Sequence, residues 1–465
     1  MGMIGLGTMG RNLLLNLADN GFKVTGYDKN AEMIGLLKKE GSEHKLEAFD
    51  DINHFIDSIQ TPRTIILLVP AGPIVDSVIE ELKPLLAEGD LIIDSGNSHF
   101  TDTARRAAEL AKINLHFFGM GISGGEEGAR HGPSMMPGGD KEAYKVVKKM
   151  FDAVAAKVDG DPCVTYIGPG ASGHFVKMVH NGIEYALMQL IAETYDLLKN
   201  GLGYDNVQIH NVFDKWNKGR LKSFLIETTK DIFAFKDVKT GKYLVDVIKD
   251  EAKSKGTGKW TSQVAMDIEV PIPTIDAAVA TRNLSKLKTL RTELSGKYKH
   301  KNTPITDLSE ADIEDAFYFA MATAYAQGMH MLYEASIQYE YGLDLEEIAK
   351  IWRGGCIIRA EFLKDIYGAY GTNPKLIHLF EDANINKKLK KSLPGLRNVT
   401  SAAALAGIAI PCFASALTYF DTLRTERMPS NLTQAQRDYF GAHTYQRIDE
   451  EGIFHADWNG NAPQA

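Results

Sequence analysis

The chain has 465 residues, of which 44% are hydrophobic and 24% charged, and a formal net charge of −8. This length implies two or three domains with enough apolar material for their cores, and the acidic balance excludes a global basic field that would draw the protein to nucleic acid or anionic membrane. Three scattered cysteines (Cys163, Cys356, Cys412) form no CxxC pair, so neither a disulfide framework nor a structural zinc site is expected, and a reducing cytoplasm is.

In chain order, short apolar runs alternate with helical stretches over residues 1–172. "MIGLG", "KVTGYD", "TIILLVP", "DLIIDSG" and "LHFFGMGISGG" read as strands ending in Gly, Pro, Asp or Ser, and 9–20, 74–86 and 101–112 read as amphipathic helices. Alternation of this kind predicts a parallel sheet with helices on both faces. Residues 173–428 read as a large all-α domain, with 3.6-residue periodicity over 174–200, 205–217, 221–234, 262–268, 274–289, 309–341, 344–352 and 400–425. The run "SAAALAGIAIPCFASAL" (401–417) is interrupted by Pro411 and falls short of the ~20 apolar residues of a membrane span, so it reads as a buried helix. Residues 316–335 faintly echo 176–195, with Phe317, Ala320, Met321 and Ala324 standing where the earlier copy has Lys177, His180, Asn181 and Glu184. Residues 429–465 are aromatic yet polar, a tail expected to stay disordered or to dock on something else, such as a second subunit.

"GLGTMG" places Gly5, Gly7 and Gly10 between an apolar strand and a helix, with Asp28 closing the second strand about 20 residues on. Gly5 permits the tight turn, Gly7 lets backbone approach a pyrophosphate and Gly10 lets helix and strand pack. The helix N-terminus supplies N–H groups for the phosphates. The first domain is therefore read as a Rossmann-type dinucleotide-binding domain. Asp28 suits a ribose 2′-OH, as in NAD, whereas Lys29 beside it suits the 2′-phosphate of NADP.

In "FVKMVHNGIEY" (175–185), Lys177, His180, Asn181 and Glu184 recur on one helical face, with Tyr185 beside them. An ordinary amphipathic helix with a wet polar side would give this pattern. So would a catalytic row containing a base, an acid and two hydrogen-bonding groups. "DSGNS" (94–98) and "GISGGEEGARHGPSMMPGG" (121–139) read as glycine-rich loops outside helices, whose N–H groups can face a ligand carboxylate or oxyanion. "KSKGTGKWT" (253–261) offers Gly-flanked lysines to a phosphate, with Arg282 following, and the tail carries Arg437 and His443 around an aromatic stretch. Metal-ligand spacing, HExxH and GxSxG are all absent, so no metal or nucleophilic-serine site is expected.

Together, "GLGTMG", "SGGEEGA", "GPSMMPGG", "GHFVKMVHNGIEY", "KGTGKWT" and "QAQRDYFGAHTYQR" make nearly the whole chain resemble the 6-phosphogluconate dehydrogenases, decarboxylating enzymes of the pentose phosphate pathway. The resemblance implies oxidation and decarboxylation of 6-phosphogluconate with NAD or NADP. It implies Lys177 as general base and Glu184 as general acid. Asn97, Ser123, Gly124, Gly125, His180 and Asn181 should hold the sugar-acid carboxylate and hydroxyls, and Tyr185, Lys255 and Arg282 the 6-phosphate. Arg437 and His443 should reach the partner subunit's site in an obligate homodimer. The cofactor falls to Gly5, Gly7, Thr8, Met9, Gly10, Asp28, Lys29, Asn30, Val69, Pro70, Ala71 and Asn97. For this chemistry Lys177 must be neutral, so burial or nearby cations are expected to lower its pKa.

Two departures from the family pattern bear on the cofactor. NADP-using members resemble "NRS" or "NRT" where this chain has Asp28, Lys29 and Asn30, and "VKAG" where it has Val69-Pro70-Ala71-Gly72, so the combination leans towards NAD. "DSGN" also replaces the usual "DGGN", placing Ser95. A dehydrogenase of another β-hydroxy acid would need the glycine loop and Lys177 but no phosphate cluster. A non-catalytic dinucleotide sensor would be expected to lack Lys177 or Glu184, and both are present.

Overall fold

The computed structural model describes residues 1–44, 46–254, 256–298, 304–458 and 460. The chain falls into two compact units, Met1–Ala416 and Leu417–Ala465.

The first unit opens with a seven-stranded sheet: β1 (Gly2–Ile4), β2 (Thr25–Tyr27), β3 (Glu47–Phe49), β4 (Thr64–Leu67), β5 (Leu91–Asp94), β6 (His116–Ser123) and β7 (Ser134–Gly139), in the order β3-β2-β1-β4-β5-β6-β7. The first six strands are parallel, the five expected ones joined by the short β3, which was not expected, but β7 runs antiparallel to β6, pairing Phe118 with Gly139 and Ser123 with Ser134. The connection 124–133 is too short for a parallel crossover, which takes about a dozen residues or more. The helices are α1 (Thr8–Asp19), α2 (Ala31–Glu40), α3 (Ile52–Asp57), α4 (Pro73–Leu82), α5 (Phe100–Ala111), α6 (Gly125–His131) and α7 (Lys141–Val154). Alternation along the strands fills two cores. Ile66, Ile93 and Phe118 join Leu13, Leu17 and Phe151 on one face. Ile65, Ile92 and Phe117 join Phe55, Val75 and Ile79 on the other.

The segment 121–139 is a correction. It reads as a glycine-rich loop but forms the end of β6, the short helix α6 and strand β7. The glycines in β6 and β7 exist for close packing: a Cβ on Gly121 would sit 2.4 Å from Lys177 Cβ, and one on Gly138 would sit 2.2 Å from Gly173 N. These clashes mark where the next helix lies directly on the sheet.

That helix, α8 (Ser172–Asp196), starts a helical array with α9 (Asn206–Trp216), α10 (Phe224–Ala234), α11 (Thr257–Asp267), α12 (Pro273–Ser285), α13 (Lys288–Lys297), α14 (Glu310–Gln338), α15 (Leu345–Ile351), α16 (Leu363–Thr372), α17 (Ala383–Ala406) and α18 (Pro411–Leu423). Helix α8 packs against α11, α12 and α14 as well as β6 and β7, and it runs out through a single π-turn, Leu197–Gly201. Phe317, Ala320, Met321 and Ala324 of α14 are all buried, so the echo segment is core. The expected helix 400–425 is two helices, because Gly407 ends α17 with φ 70° and Pro411 opens α18. No helix among the described residues is long and apolar enough to cross a membrane.

The second unit corrects the expectation of a tail without structure of its own. Its helix α19 (Ser430–Gly441) buries Asp438, whose carboxylate accepts from Thr444 N, Ala456 N, Trp458 Nε1 and His455 Nδ1, and Tyr445 pairs with Phe454 in an antiparallel bridge. Burial pushes the Asp438 carboxyl up, but these donors outweigh it and hold it at about 2. One carboxylate thus organises a segment with little apolar periodicity.

Candidate active site

The glycine loop has the geometry its spacing demands. Gly5 takes φ +93°, and a Cβ there would sit 2.5 Å from Leu68 O. A Cβ on Gly10 would sit 1.9 Å from Gly5 O, whereas one on Gly7 would meet nothing within 4 Å. Gly5 and Gly10 therefore let α1 close onto the sheet, and Gly7 leaves open space. The α1 N-terminus has no side-chain cap and no acidic residue in its first turn, so the N–H groups around Thr8 and Met9 are available to an anion. These residues fit a dinucleotide pyrophosphate.

Asp28 Oδ2 accepts from Leu6 N (2.7 Å) and its Oδ1 from Asn30 N (2.8 Å), tying the end of β2 to the glycine loop. Asn30 caps α2 by accepting from Glu32 N. Lys29 does not stand free: its Nζ lies 2.7 Å from Glu81 Oε1 on α4. Val69, Pro70 and Ala71 form the turn between β4 and α4, and Asn97 is exposed on the loop after β5. Sequence reasoning missed the residue that joins these two loops. Arg106 of α5 is fully buried, donating to Gly72 O (3.0 Å), both oxygens of Asp76 (2.8 and 3.1 Å), Asp94 Oδ2 (3.3 Å) and Ser98 Oγ (3.3 Å). Ser95 lies in the same loop, buried, its hydroxyl without a partner among the described residues.

The polar row of α8 is not a wet face. Lys177, His180, Asn181 and Tyr185 are buried and Glu184 is nearly so, while Val176, Val179 and Ile183 fill the opposite side. Sheet glycines, α11 and the loop 352–358 cover what a lone amphipathic helix would leave in water. His180 Nε2 lies 3.2 Å from Ser123 Oγ. Its Nδ1 lies 3.0 Å from Asn181 Oδ1 and 3.9 Å from Glu184 Oε2, and its ring meets Trp352 edge-on. Asn181 donates to Thr257 Oγ1 (3.0 Å), and Ser123 Oγ accepts from Ile357 N (3.5 Å). Gly124 (φ +119°) and Gly125 (φ +63°) turn the chain from Ser123 into α6.

Burial drives the protonation states. It lowers the Lys177 ammonium pKa, against the pull of Glu184 and Cys356, and it raises that of Glu184 against Lys177 and Arg282. Burial and the neighbouring Lys177 hold the His180 imidazole well below its ordinary value. Desolvation thus pushes this acid and this base together towards the uncharged pair, amine and carboxylic acid.

One residue beyond Glu184, Arg282 stacks its guanidinium 3.6 Å from the centre of the Tyr185 ring. Gly258 of "KGTGKWT" makes room, since a Cβ there would sit 2.4 Å from Tyr185 Cδ2. Lys255 lies outside the described residues. Arg437 and His443 lie exposed in the second unit, Arg437 hydrogen-bonded to Gln434. The structure therefore brings Ser123, Lys177, His180, Asn181 and Glu184 together and stacks Arg282 on Tyr185. Thr257, Trp352 and Ile357 are additions, and the glycine pair in "WRGGCII" was the one signal that could have flagged that loop.

Comparison with known proteins agrees over the whole length. Residues 1–168 match the NAD binding domain of 6-phosphogluconate dehydrogenase, and residues 173–458 match the 6-phosphogluconate dehydrogenase C-terminal domain. A Bacillus subtilis relative described as 6-phosphogluconate dehydrogenase, NADP(+)-dependent, decarboxylating is 48% identical, with 98% of each chain covered. A Synechococcus elongatus 6-phosphogluconate dehydrogenase, decarboxylating, is 50% identical, again with 98% of each covered. Among solved structures, Plasmodium falciparum 6-phosphogluconate dehydrogenase, studied apo, with NADP+ and with 6-phosphogluconate, superposes with a TM-score of 0.96 at 44% identity, covering 98% of this chain and 100% of that one.

Proposed function

The chain belongs to the 6-phosphogluconate dehydrogenase family, and from that membership we infer how its own residues oxidise and decarboxylate the substrate. The reaction converts 6-phospho-D-gluconate to D-ribulose 5-phosphate and CO2 with hydride transfer to NAD(P)+. The nicotinamide, when bound, accepts the hydride from C3.

Lys177, neutral at the start, takes the C3 hydroxyl proton. The resulting 3-keto acid loses CO2 as negative charge builds on the C3 oxygen, and Lys177, now an ammonium, returns a proton there. His180 and Asn181, held by Ser123 and Thr257, orient the substrate around that oxygen. Glu184, starting as the acid, protonates C1 of the enediol while Lys177, neutral again, takes the proton from the enediol hydroxyl so that the ketone forms. The pair then returns to its starting charge states. The observation that carries this reading is the placement of buried Lys177 and partly buried Glu184 on one face of one helix, where desolvation biases each towards the protonation state its role requires. Asn97, Ser123, Gly124 and Gly125 hold the carboxylate and hydroxyls, and Tyr185, Arg282 and Lys255 hold the 6-phosphate. The Arg282–Tyr185 stack supports this, as an arginine fixed in direction is a good phosphate clamp.

The domain boundaries follow the same reading: a dinucleotide-binding domain over 1–172, a helical substrate and dimerisation domain over 173–428, and a tail over 429–465. The active unit is a homodimer in which Arg437 and His443 of each tail complete the neighbouring site. Asp28 and Pro70 favour NAD over NADP. Competition between 6-phosphogluconate and unphosphorylated gluconate tests the phosphate clamp: at least a ~100-fold preference in kcat/KM is expected for the phosphorylated acid. Equal use of the two would point to a general β-hydroxy-acid dehydrogenase.

A further inference from the structure

Glu81 belongs neither to the glycine loop nor to the end of β2, yet it pairs with Lys29, the lysine that follows Asp28. It sits in the last turn of α4, and its Oε1 accepts from Lys29 Nζ at 2.7 Å. Lys29 directly follows Asp28, the position that faces the adenosine ribose in this fold, so its ammonium is the group placed to meet a 2′-phosphate. Lys29, Glu81, Asp51 and Asp28 are among the charges that act on the neighbouring Tyr27 hydroxyl. Asp28 and Asp51 are already committed to backbone donors, Asp28 to Leu6 N and Asn30 N, and Asp51 to His54 N as the cap of α3. Glu81 alone is bound only to Lys29 among the contacts of this cluster.

We infer that Glu81 is a specificity-determining residue that disfavours NADP by holding Lys29 in an ion pair. A 2′-phosphate dianion would have to displace Glu81 from Lys29 and then lie near it. A ribose 2′-OH needs neither, because Asp28 still has lone pairs to accept from it. Both partners of the pair are largely exposed, with side chains 66% and 40% accessible, so the effect is a modest bias and not an absolute block.

The test is a double-variant cycle on the full-length enzyme, measuring kcat/KM for NAD and for NADP with saturating 6-phosphogluconate in Glu81→Gln, Lys29→Met and the double variant. Glu81→Gln is expected to raise the NADP/NAD ratio about fivefold, and in the Lys29→Met background the same change should move it less than about twofold. An unchanged ratio in an active Glu81→Gln enzyme overturns the inference. A shift of equal size with and without Lys29 overturns it too, because Glu81 would then not act through the lysine. The inference rests on the dehydrogenase reading, whose failure is distinct: the unmodified chain would then reduce neither nucleotide.

Discussion

At α8 the ionisable groups are buried and their charge states follow from desolvation, whereas at the end of β2 they stand in water and follow from pairing. Lys177 and Glu184 stand seven residues apart on one face of α8, and desolvation makes both lose charge more readily than in solution. Lys29 and Glu81 are exposed, and each is bound to the other. The two regions therefore do different jobs with similar side chains. A buried acid and base can exchange protons with a substrate near neutral pH, while exposed charges can only tilt a choice between two nucleotides.

If that contrast holds, the largest losses come from α8. Lys177→Ala and Glu184→Ala should each lower kcat at least ~100-fold while the substrate still binds, checked by steady-state rates and by calorimetric titration of 6-phosphogluconate. The pH profile sharpens the assignment. Activity should fall on the acid side as Lys177 takes a proton at its depressed pKa, and on the alkaline side as Glu184 ionises at its raised one. The residual activity of Lys177→Ala should lack the acid limb and that of Glu184→Ala the alkaline limb. An alkaline limb unmoved in Glu184→Ala would remove Glu184 from its role.

Arg106 stands between the two regimes, buried like α8 but serving the cofactor loops. Arg106→Lys keeps the charge and loses the fork that grips Asp76, Gly72 and Asp94 together. A roughly tenfold rise in the cofactor KM, with a smaller fall in kcat, is expected from initial rates. The smallest effect belongs to the exposed end. Asp28→Ala should shift the NADP/NAD ratio a few-fold towards NADP, yet raise KM for both, because Leu6 N and Asn30 N lose their acceptor.

Legibility in the sequence followed the same division. Gly5, Gly7 and Gly10 were readable because their demand is local backbone geometry, and the α8 row was readable because its spacing is local to one helix. What covers that row was not. Gly121 falls within a run read as a strand, but Gly138 reads as a loop glycine because the packing of α8 on it is not local, so strand β7 and helix α6 read as coil. Arg106, Thr257 and Glu81 act through partners 34, 76 and 52 residues away, and no periodicity announces such contacts. Asp438 was missed for the same reason, since its donors Thr444, Ala456 and Trp458 fold back on it from beyond the helix.

The most direct test of the central claim follows reduced nicotinamide and CO2 together in one reaction mixture with 6-phosphogluconate, for the unmodified enzyme and for Lys177→Ala. Equal yields of the two products, with both falling together by at least ~100-fold in Lys177→Ala, are the expected result. Reduced nicotinamide without CO2, or near-normal turnover in Lys177→Ala, would contradict the assignment of oxidative decarboxylation to this buried pair.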